Sequence, residues 1–553
     1  MRLVKKPPLI LKEGSKRTEG EDALRVNITA AKVIGETVKS TLGPKGMDKM
    51  LVDRLGGIVI TNDGATILEE IDVRHPAAKI MVEIARTQDS EVGDGTTTAV
   101  LLASELLTQA ETLLGFKIHP NTIINGYKKA LAKSQELLQT LSLSVSLTNL
   151  KILKSIAESA INCKLLKDKE EYFANIAVQS ILKIQEIRED TSYADIEKIQ
   201  IVKHQGNSLS DTLMVEGIIL EKEIEHPDMI KTVDNAKIAL LNVPLEIEKT
   251  KFDTEIRIAN PLDIKSYLDE EEEILRAMVK KIRDVGANVV ITQKGMTLLI
   301  EHLLAKNKIL AIKRVKKKEM MKIQRAVGGK VVSSVNDLTP EFLGDAGHVE
   351  EKLIGTKKMV FIEKCQNPRS VSILIRGSIE HLLHEIERTL IDAMSVIADI
   401  VRNNKYITGG GSIEVELAKK LREFAIIIGG REQLAIEAFA GTLETIPKVL
   451  AANGGYDPID VIVELRAKHS IEKNKYYGID VFTGKIVDMN DLGVLEPLLV
   501  KLQALKSATE AASMILKIDD VVAAKLIAPE RRAGAPGVGG GQLPPNLGPN
   551  PMS

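Results

Sequence analysis

The sequence predicts a multidomain chain, mainly α-helical towards both ends, with an α/β domain inserted between the helical parts. Three observations carry that prediction. At 553 residues the chain is too long for one hydrophobic core, which stops growing at about 250–300 residues. Apolar residues return at helical spacing from about residue 22 to about 185, and again from about 378 to about 525. Between about 215 and 376 they gather instead into short β-prone runs alternating with helical stretches.

Composition narrows the function classes. Hydrophobic residues make up 44% and charged residues 27%, the balance of a globular protein. A formal net charge of −1 supplies no general attraction to nucleic acid or to an anionic membrane. Tryptophan is absent and aromatics amount to 3%, too few for stacking-based recognition of bases, so no nucleic-acid partner is expected. Cys163 and Cys365 are far apart and lack metal-like spacing; they read as small buried hydrophobes in a reducing compartment. No apolar run reaches the ~18 residues of a membrane span, and the first residues lack a signal-peptide core. The expected location is cytoplasmic, without a membrane partner.

Taken in order, residues 1 to about 20 read as a loosely held arm. A helix follows on Ala30, Val33, Ile34 and Val38 and stops at Gly43-Pro44. Gly57 to Thr61 is a short strand, Asn62-Asp63-Gly64 a turn, and Ala65 to Glu70 a new helix. After Gly95 the stripe Ala99, Leu102, Ala103, Leu106, Ala110 and Leu113 marks a helix with one buried face. In the middle, strands are expected at 217–220, 238–241, 288–292, 309–312, 330–332, 359–362 and 372–375, with helices at 297–306 and 318–327. Asp269 to Glu273 and Lys313 to Lys318 read as solvated charged faces. Residues 528–553 are dense in Gly and Pro and read as a disordered tail.

Familiar catalytic motifs are missing: no stretch fits GxxxxGK[ST] or HExxH, no GxSxG elbow sits in a strand-turn-helix context, and Gly409-Gly410-Gly411 does not satisfy GxGxxG. What remains is a set of glycine loops, at Leu42 to Gly46, Asn62 to Thr66, Gly93 to Thr98 and Gly409 to Gly411. Each alone is ordinary turn and cap chemistry. Together they could wrap one triphosphate, with glycine-loop amides facing the phosphates and Asp94 offering Mg²⁺ a hard carboxylate oxygen. Thr96, Thr97 and Thr98 would open a helix whose first N–H groups have no internal partner.

The ordered stretches Thr41–Lys49, Thr61–Leu68, Asp72–Ala78 and Gly93–Thr97 resemble the signature loops of the group II chaperonins, the archaeal thermosome and the eukaryotic cytosolic chaperonin. Glu248–Ile258, Gln293–Gly295, Asp337–Pro340, Asp457–Asp460, Gly478–Gly484, Lys506–Glu510 and Ile518–Asp520 agree as well. The resemblance spans about 20 to about 527 and is nearest the archaeal type.

That resemblance implies an equatorial ATPase domain from both chain ends (1–145 and 405–527) and a small α/β intermediate hinge domain (146–215 and 365–404). An inserted α/β apical domain (216–364) would carry a helical lid protrusion at about 246–277. Copies of the chain, or paralogous subunits, would form two stacked rings that enclose non-native protein clients, with ATP and Mg²⁺ as cofactors. Leu42, Gly43, Pro44, Gly95, Thr96, Thr97 and Thr98 would contact phosphates, Asp94 the metal, Gly410 and Gly411 the nucleotide, and Glu496 the ribose. Asp63 and Asp392 would orient the attacking water. Lys164 would sense the cleaved γ-phosphate, but the glycines that usually flank this lysine are replaced in Asn162 to Lys167, which stiffens its loop. Two other readings stay open on sequence alone, a ring that only holds unfolded chains or nucleic acid without productive cycling, and a small-molecule kinase. Intact Asp63, Asp94 and Asp392 argue against the first, and no candidate acceptor pocket supports the second.

Overall fold

A computed structural model describes residues 16–52, 56–161, 169–188, 191–247, 261–365 and 370–523. Cys163, Lys164, residues 248–260 of the expected lid segment and the tail 528–553 lie outside the described residues. The chain divides into two compact units. In one, drawn from residues 1–25 and 518–553, strand Lys16–Glu19 pairs antiparallel with Asp520–Ala523. The second, 26–517, holds the elements described next.

Its helical part mixes early and late sequence. The helices Pro76–Val92, Thr96–Gly115 and Pro120–Leu141 pack with Gly430–Leu443 and Leu498–Leu516. Buried Tyr127 donates its hydroxyl to the Leu106 carbonyl at 2.8 Å and meets the Phe439 ring edge-on at 5.9 Å. Strand Lys405–Thr408 pairs antiparallel with both Leu143–Ser144 and Leu495–Pro497, joining three distant stretches in one small sheet. Helix Thr96–Gly115 is buried beyond its expected stripe: Val100, Leu101 and Leu107 are inside as well. Helices press on it from several sides, and an all-round apolar helix is the pattern of a central position.

The middle part is built on a seven-stranded mixed sheet. Its order is Leu310–Ile312, Val289–Thr292, Thr232–Leu241, Gly344–Ile354, Lys357–Cys365 and Gly217–Leu220, with Val331–Val332 also paired to Thr232–Leu241. The parallel strands Val289–Thr292 and Leu310–Ile312 are buried at every residue, as strands covered on both faces must be. Helix Leu298–Lys306 packs on Leu310–Ile312, and Lys317–Val327 on Thr232–Leu241, Gly344–Ile354 and Gly217–Leu220, with Ile300, Leu304 and Ile323 in the same core as Ile238, Leu240 and Val290. Strand Gly344–Ile354 escaped the sequence reading because it is half-polar, Asp345, His348, Glu350, Glu351 and Lys352 being spread along it. It is a strand because Thr232–Leu241 and Lys357–Cys365 satisfy its backbone from both sides.

A three-stranded sheet, Gln200–Gln205, Ser372–Gly377 and Leu213–Val215, shares a second core with helices Leu150–Ile161, Glu170–Ile184 and Glu380–Asn403. After residue 378 helices dominate, but the short strands Lys405–Thr408, Tyr477–Ile479, Ile486–Asp488 and Leu495–Pro497 interrupt them; runs this short leave no readable period. The chain is thus multidomain, with many helices and mixed sheets. The expected solvated face at Lys313 needs correction: its ammonium is mostly buried and bridges Glu301, at 2.7 Å, and Glu225. Glu270 and Glu273 are exposed, as expected. Cys365 is buried and free, and burial pushes its thiol up to about 11. No described helix is long and apolar enough to cross a membrane.

Candidate functional site

One cavity of about 650 Å³ gathers Leu42, Gly43, Pro44, Asp63, Asp94, Gly95, Thr96, Thr97, Thr98, Asp392, Gly410, Gly411 and Glu496 on its walls. Of the residues singled out from the sequence, only Lys164 is missing, and it lies outside the described residues.

Two long helices open onto the cavity. Thr96–Gly115 starts at Gly95 and Ser412–Ile428 at Gly411, each without a side-chain cap; Ser412 N donates to the Gly409 carbonyl at 3.2 Å, and the next N–H groups of these first turns are the ones that could meet an anion. Both starting glycines are left-handed, with φ of 76° and 77°, a region that favours glycine. A Cβ on Gly95 would lie 2.8 Å from Val500 Cγ1, and one on Gly411 2.6 Å from Pro447 Cβ, so neither position accepts a side chain without movement. Gln88 braces the first loop from behind: its buried amide donates to the Asp94 carbonyl at 2.8 Å and to the Val500 carbonyl at 3.2 Å.

The Asn62 to Thr66 loop departs from the expected amide cradle. Asp63 caps the short helix Gly64–Glu70 and accepts from Ala65 N at 3.3 Å, Thr66 N at 2.8 Å and Thr66 Oγ1 at 2.7 Å. A fourth bond comes from Thr96 Oγ1 at 3.1 Å. These amides serve Asp63 rather than a phosphate. What the loop presents is a carboxylate held rigidly by four donors.

Asp94 and Asp392 differ electrostatically from ordinary carboxylates. Burial, then the neighbouring Glu496, pushes Asp94 up to about 6, although Gly95 N donates to it at 2.6 Å. Asp392, on helix Glu380–Asn403, is raised well above the usual range by burial and by Asp63, Asp94 and Asp89. Nine carboxylates and two cations, Arg388 and Lys501, line the cavity among the described residues. Both cations are engaged: Arg388 donates to Thr61 Oγ1 at 2.6 Å and Glu385 Oε2 at 2.7 Å. Lys501 donates to Glu414 Oε1 at 2.5 Å and lies 3.2 Å from Glu496 Oε2. The cavity therefore has an excess of carboxylate to which a further cation would be attracted.

Sequence reasoning missed Gln88, Arg388, Glu414 and Lys501. A signal existed for Lys501: it shares a helical stripe with Leu498, Ala504 and Leu505, all buried, and a charge on an apolar stripe calls for a buried partner.

Helix N-termini, glycine loops and clustered carboxylates in one cavity are the chemistry that a phosphorylated ligand accompanied by a cation would need. Comparison with known proteins makes this specific. Residues 34–526 match the TCP-1/cpn60 chaperonin family. The chain is 52% identical over 518 residues to thermosome subunit beta of Sulfurisphaera tokodaii, covering 94% of each chain. It is 51% identical over 540 residues to the thermosome subunit of Pyrococcus abyssi, covering 98% of each. The chain belongs to the TCP-1/cpn60 chaperonin family; it is an ATP-dependent chaperonin, an ATPase that assists protein folding.

Proposed function

We propose that the cavity binds ATP with Mg²⁺ and that hydrolysis there drives closure of a double ring around non-native protein. The observation that carries this reading is the mixed origin of the cavity's carboxylates. Asp63 and Asp94 stand on loops of the helical part, whereas Asp392 rides on Glu380–Asn403, which packs with Leu150–Ile161 and Glu170–Ile184 in a separate core. A shift between those cores would change how Asp392 meets the other two, making hydrolysis depend on conformation.

The donor set fits Mg²⁺. No group of three or more His, Cys, Asp or Glu among the described residues could hold a metal ion by itself. Mg²⁺ usually takes one or two carboxylates together with phosphate oxygens and water. Bound at Asp94, it would supply positive charge against the phosphates. The amides at the starts of Thr96–Gly115 and Ser412–Ile428 would hold phosphate oxygens, with Leu42, Gly43, Pro44 and Thr98 beside them. Glu496 would accept from a ribose hydroxyl. Asp63, held in place by its four donors, would position the attacking water once one of these bonds gives way to it. Asp392, made more basic by burial and like charge, would take the proton that water loses.

The domain assignment follows the family: 1–145 and 405–527 equatorial, 146–215 and 365–404 intermediate, and 216–364 apical with the lid at about 246–277. Lys164 would answer to the cleaved phosphate, two stacked rings of this chain or of paralogues would be the assembly, and the cytoplasm the setting. Electron microscopy of the purified protein with and without Mg-ATP tests the reading. Double rings that close with nucleotide are expected. A protein that forms no ring, or a ring unaffected by nucleotide, overturns it.

A further inference from the structure

We infer that Lys501 is a positioning residue that aims Glu496 at the sugar of the nucleotide, and so sets the preference for ribose over deoxyribose. The inference rests on the proposed nucleotide reading of the cavity and adds a residue and a selectivity to it.

Lys501 is 4% exposed and stands in the first turn of helix Leu498–Leu516. Its ammonium bridges two carboxylates of different character. Glu414, 2% exposed, belongs to the first turn of Ser412–Ile428, and its Oε1 accepts from Lys501 at 2.5 Å while its Oε2 is buried without a hydrogen-bond partner. Glu496 sits on the cavity wall, on strand Leu495–Pro497, with Oε2 3.2 Å from the ammonium. Its other oxygen, Oε1, lies 3.0 Å from where a Cβ on Gly409 would stand. One oxygen of Glu496 is thus committed to the lysine, and the second is confined beside the glycine loop. A carboxylate held in this way can accept from a hydroxyl at one place only. Preorganisation of this kind turns a hydrogen bond into selectivity, because an analogue lacking the hydroxyl leaves the acceptor unpaired.

The same helical turn reaches the metal side of the cavity. Val500, next to Lys501, receives Gln88 on its carbonyl, and Gln88 in turn holds the Asp94 carbonyl. Lys501 therefore ties the sugar carboxylate to the frame that fixes the phosphate loop. A methionine at position 501 would keep the length of the stem and lose the charge, freeing Glu496 to swing and leaving Glu414 buried without its cation.

The experiment measures dissociation constants of Mg-ATP, Mg-2′-deoxy-ATP and Mg-3′-deoxy-ATP by calorimetry, on wild type, Lys501→Met, Lys501→Arg and the charge-balanced double variant Lys501→Met/Glu414→Gln. The double variant covers the case in which Lys501→Met alone fails to fold. Wild type is expected to prefer ATP over at least one deoxy analogue by roughly tenfold or more, the scale of a hydrogen bond to a charged group. Lys501→Met, or the double variant, is expected to bring that ratio to within about twofold of unity, and Lys501→Arg to restore most of it. A ratio unchanged in both the single and the double variant, even with weaker binding of all three nucleotides, assigns Lys501 a purely structural role and overturns the inference. Wild type that binds all three nucleotides alike overturns it too. Wild type that binds none of them defeats the nucleotide reading itself.

Discussion

The Asp63 carboxylate accepts a hydrogen bond from the Thr96 hydroxyl at 3.1 Å, so the cap of one helix is fastened to the first turn of another. Asp63 is therefore both a structural cap and a cavity carboxylate. Asp392 is raised by burial and by its carboxylate neighbours, and so is held at a cost to the fold. Replacing the two should slow hydrolysis alike and move stability in opposite directions. Asp63→Ala should lower stability by about 1–2 kcal/mol, the usual loss for a helix cap. Asp392→Asn should raise the denaturation midpoint of the nucleotide-free protein at neutral pH. Each should still bind ATP and turn over at least about 10²-fold more slowly. Wild-type turnover in a well-folded Asp392→Asn ring would remove Asp392 from the chemistry.

Metal binding should depend on pH in a defined sense. Asp94 is pushed up to about 6 from the ordinary aspartate value of 3.8, and only its carboxylate form can hold a cation. Mg²⁺ affinity in the presence of nucleotide should strengthen as pH rises through about 6 and level off above, with protons released on binding. The sign for folding is opposite. A carboxyl with a raised folded-state pKa stabilises the fold fully below its unfolded value, and that contribution is lost as pH rises through the folded value. Calorimetry in buffers of different ionisation enthalpy reads the released protons; binding without proton release near pH 6 would contradict the assignment of Asp94.

Asp399 supplies a control away from the cavity wall. It lies about two turns beyond Asp392 on Glu380–Asn403, with Oδ2 buried and without a hydrogen-bond partner. Burial pushes it up to about 7, against the opposing pull of Arg402. Asp399→Asn should stabilise the protein at pH 8 by at most about 4 kcal/mol, since each tenfold change in proton affinity corresponds to about 1.4 kcal/mol. The gain should fade towards pH 4. Denaturant midpoints at the two pH values provide the check. An equal effect at both would place the cause in packing rather than in charge.

Removal of residues 250–272 tests the proposed lid. ATP hydrolysis should survive the deletion, since the cavity lining lies elsewhere in the chain. Protease protection of a bound client should disappear. Retained protection would locate closure in another part of the protein.

Much of the fold was legible in the chain. Stripes such as Ala99 to Leu113 marked helices, and runs such as Val289 to Thr292 marked buried strands. The half-polar strand Gly344–Ile354 was invisible because its pairing partners, and not its own pattern, make it a strand. The glycine loops and Asp94 were readable as a possible phosphate site, but Asp63 was readable only as a turn that presents a carboxylate, with no catalytic role, until a family resemblance was considered. The structure supports the turn reading as well, since Asp63 is an N-cap.

By itself, the sequence determined where the periodic helices and the apolar strands lie and which loops carry glycine beside a carboxylate, since periodicity and turn chemistry act over a few residues. Tertiary structure alone decided that Gly95, Asp392, Glu496 and Lys501 share one cavity. It also decided that Lys501 is held by two glutamates and that burial raises Asp94 and Asp392. The physical reason is that ion pairing and desolvation depend on distance and surroundings in space. Residues as far apart along the chain as Gln88 and Val500 become neighbours only when it has folded.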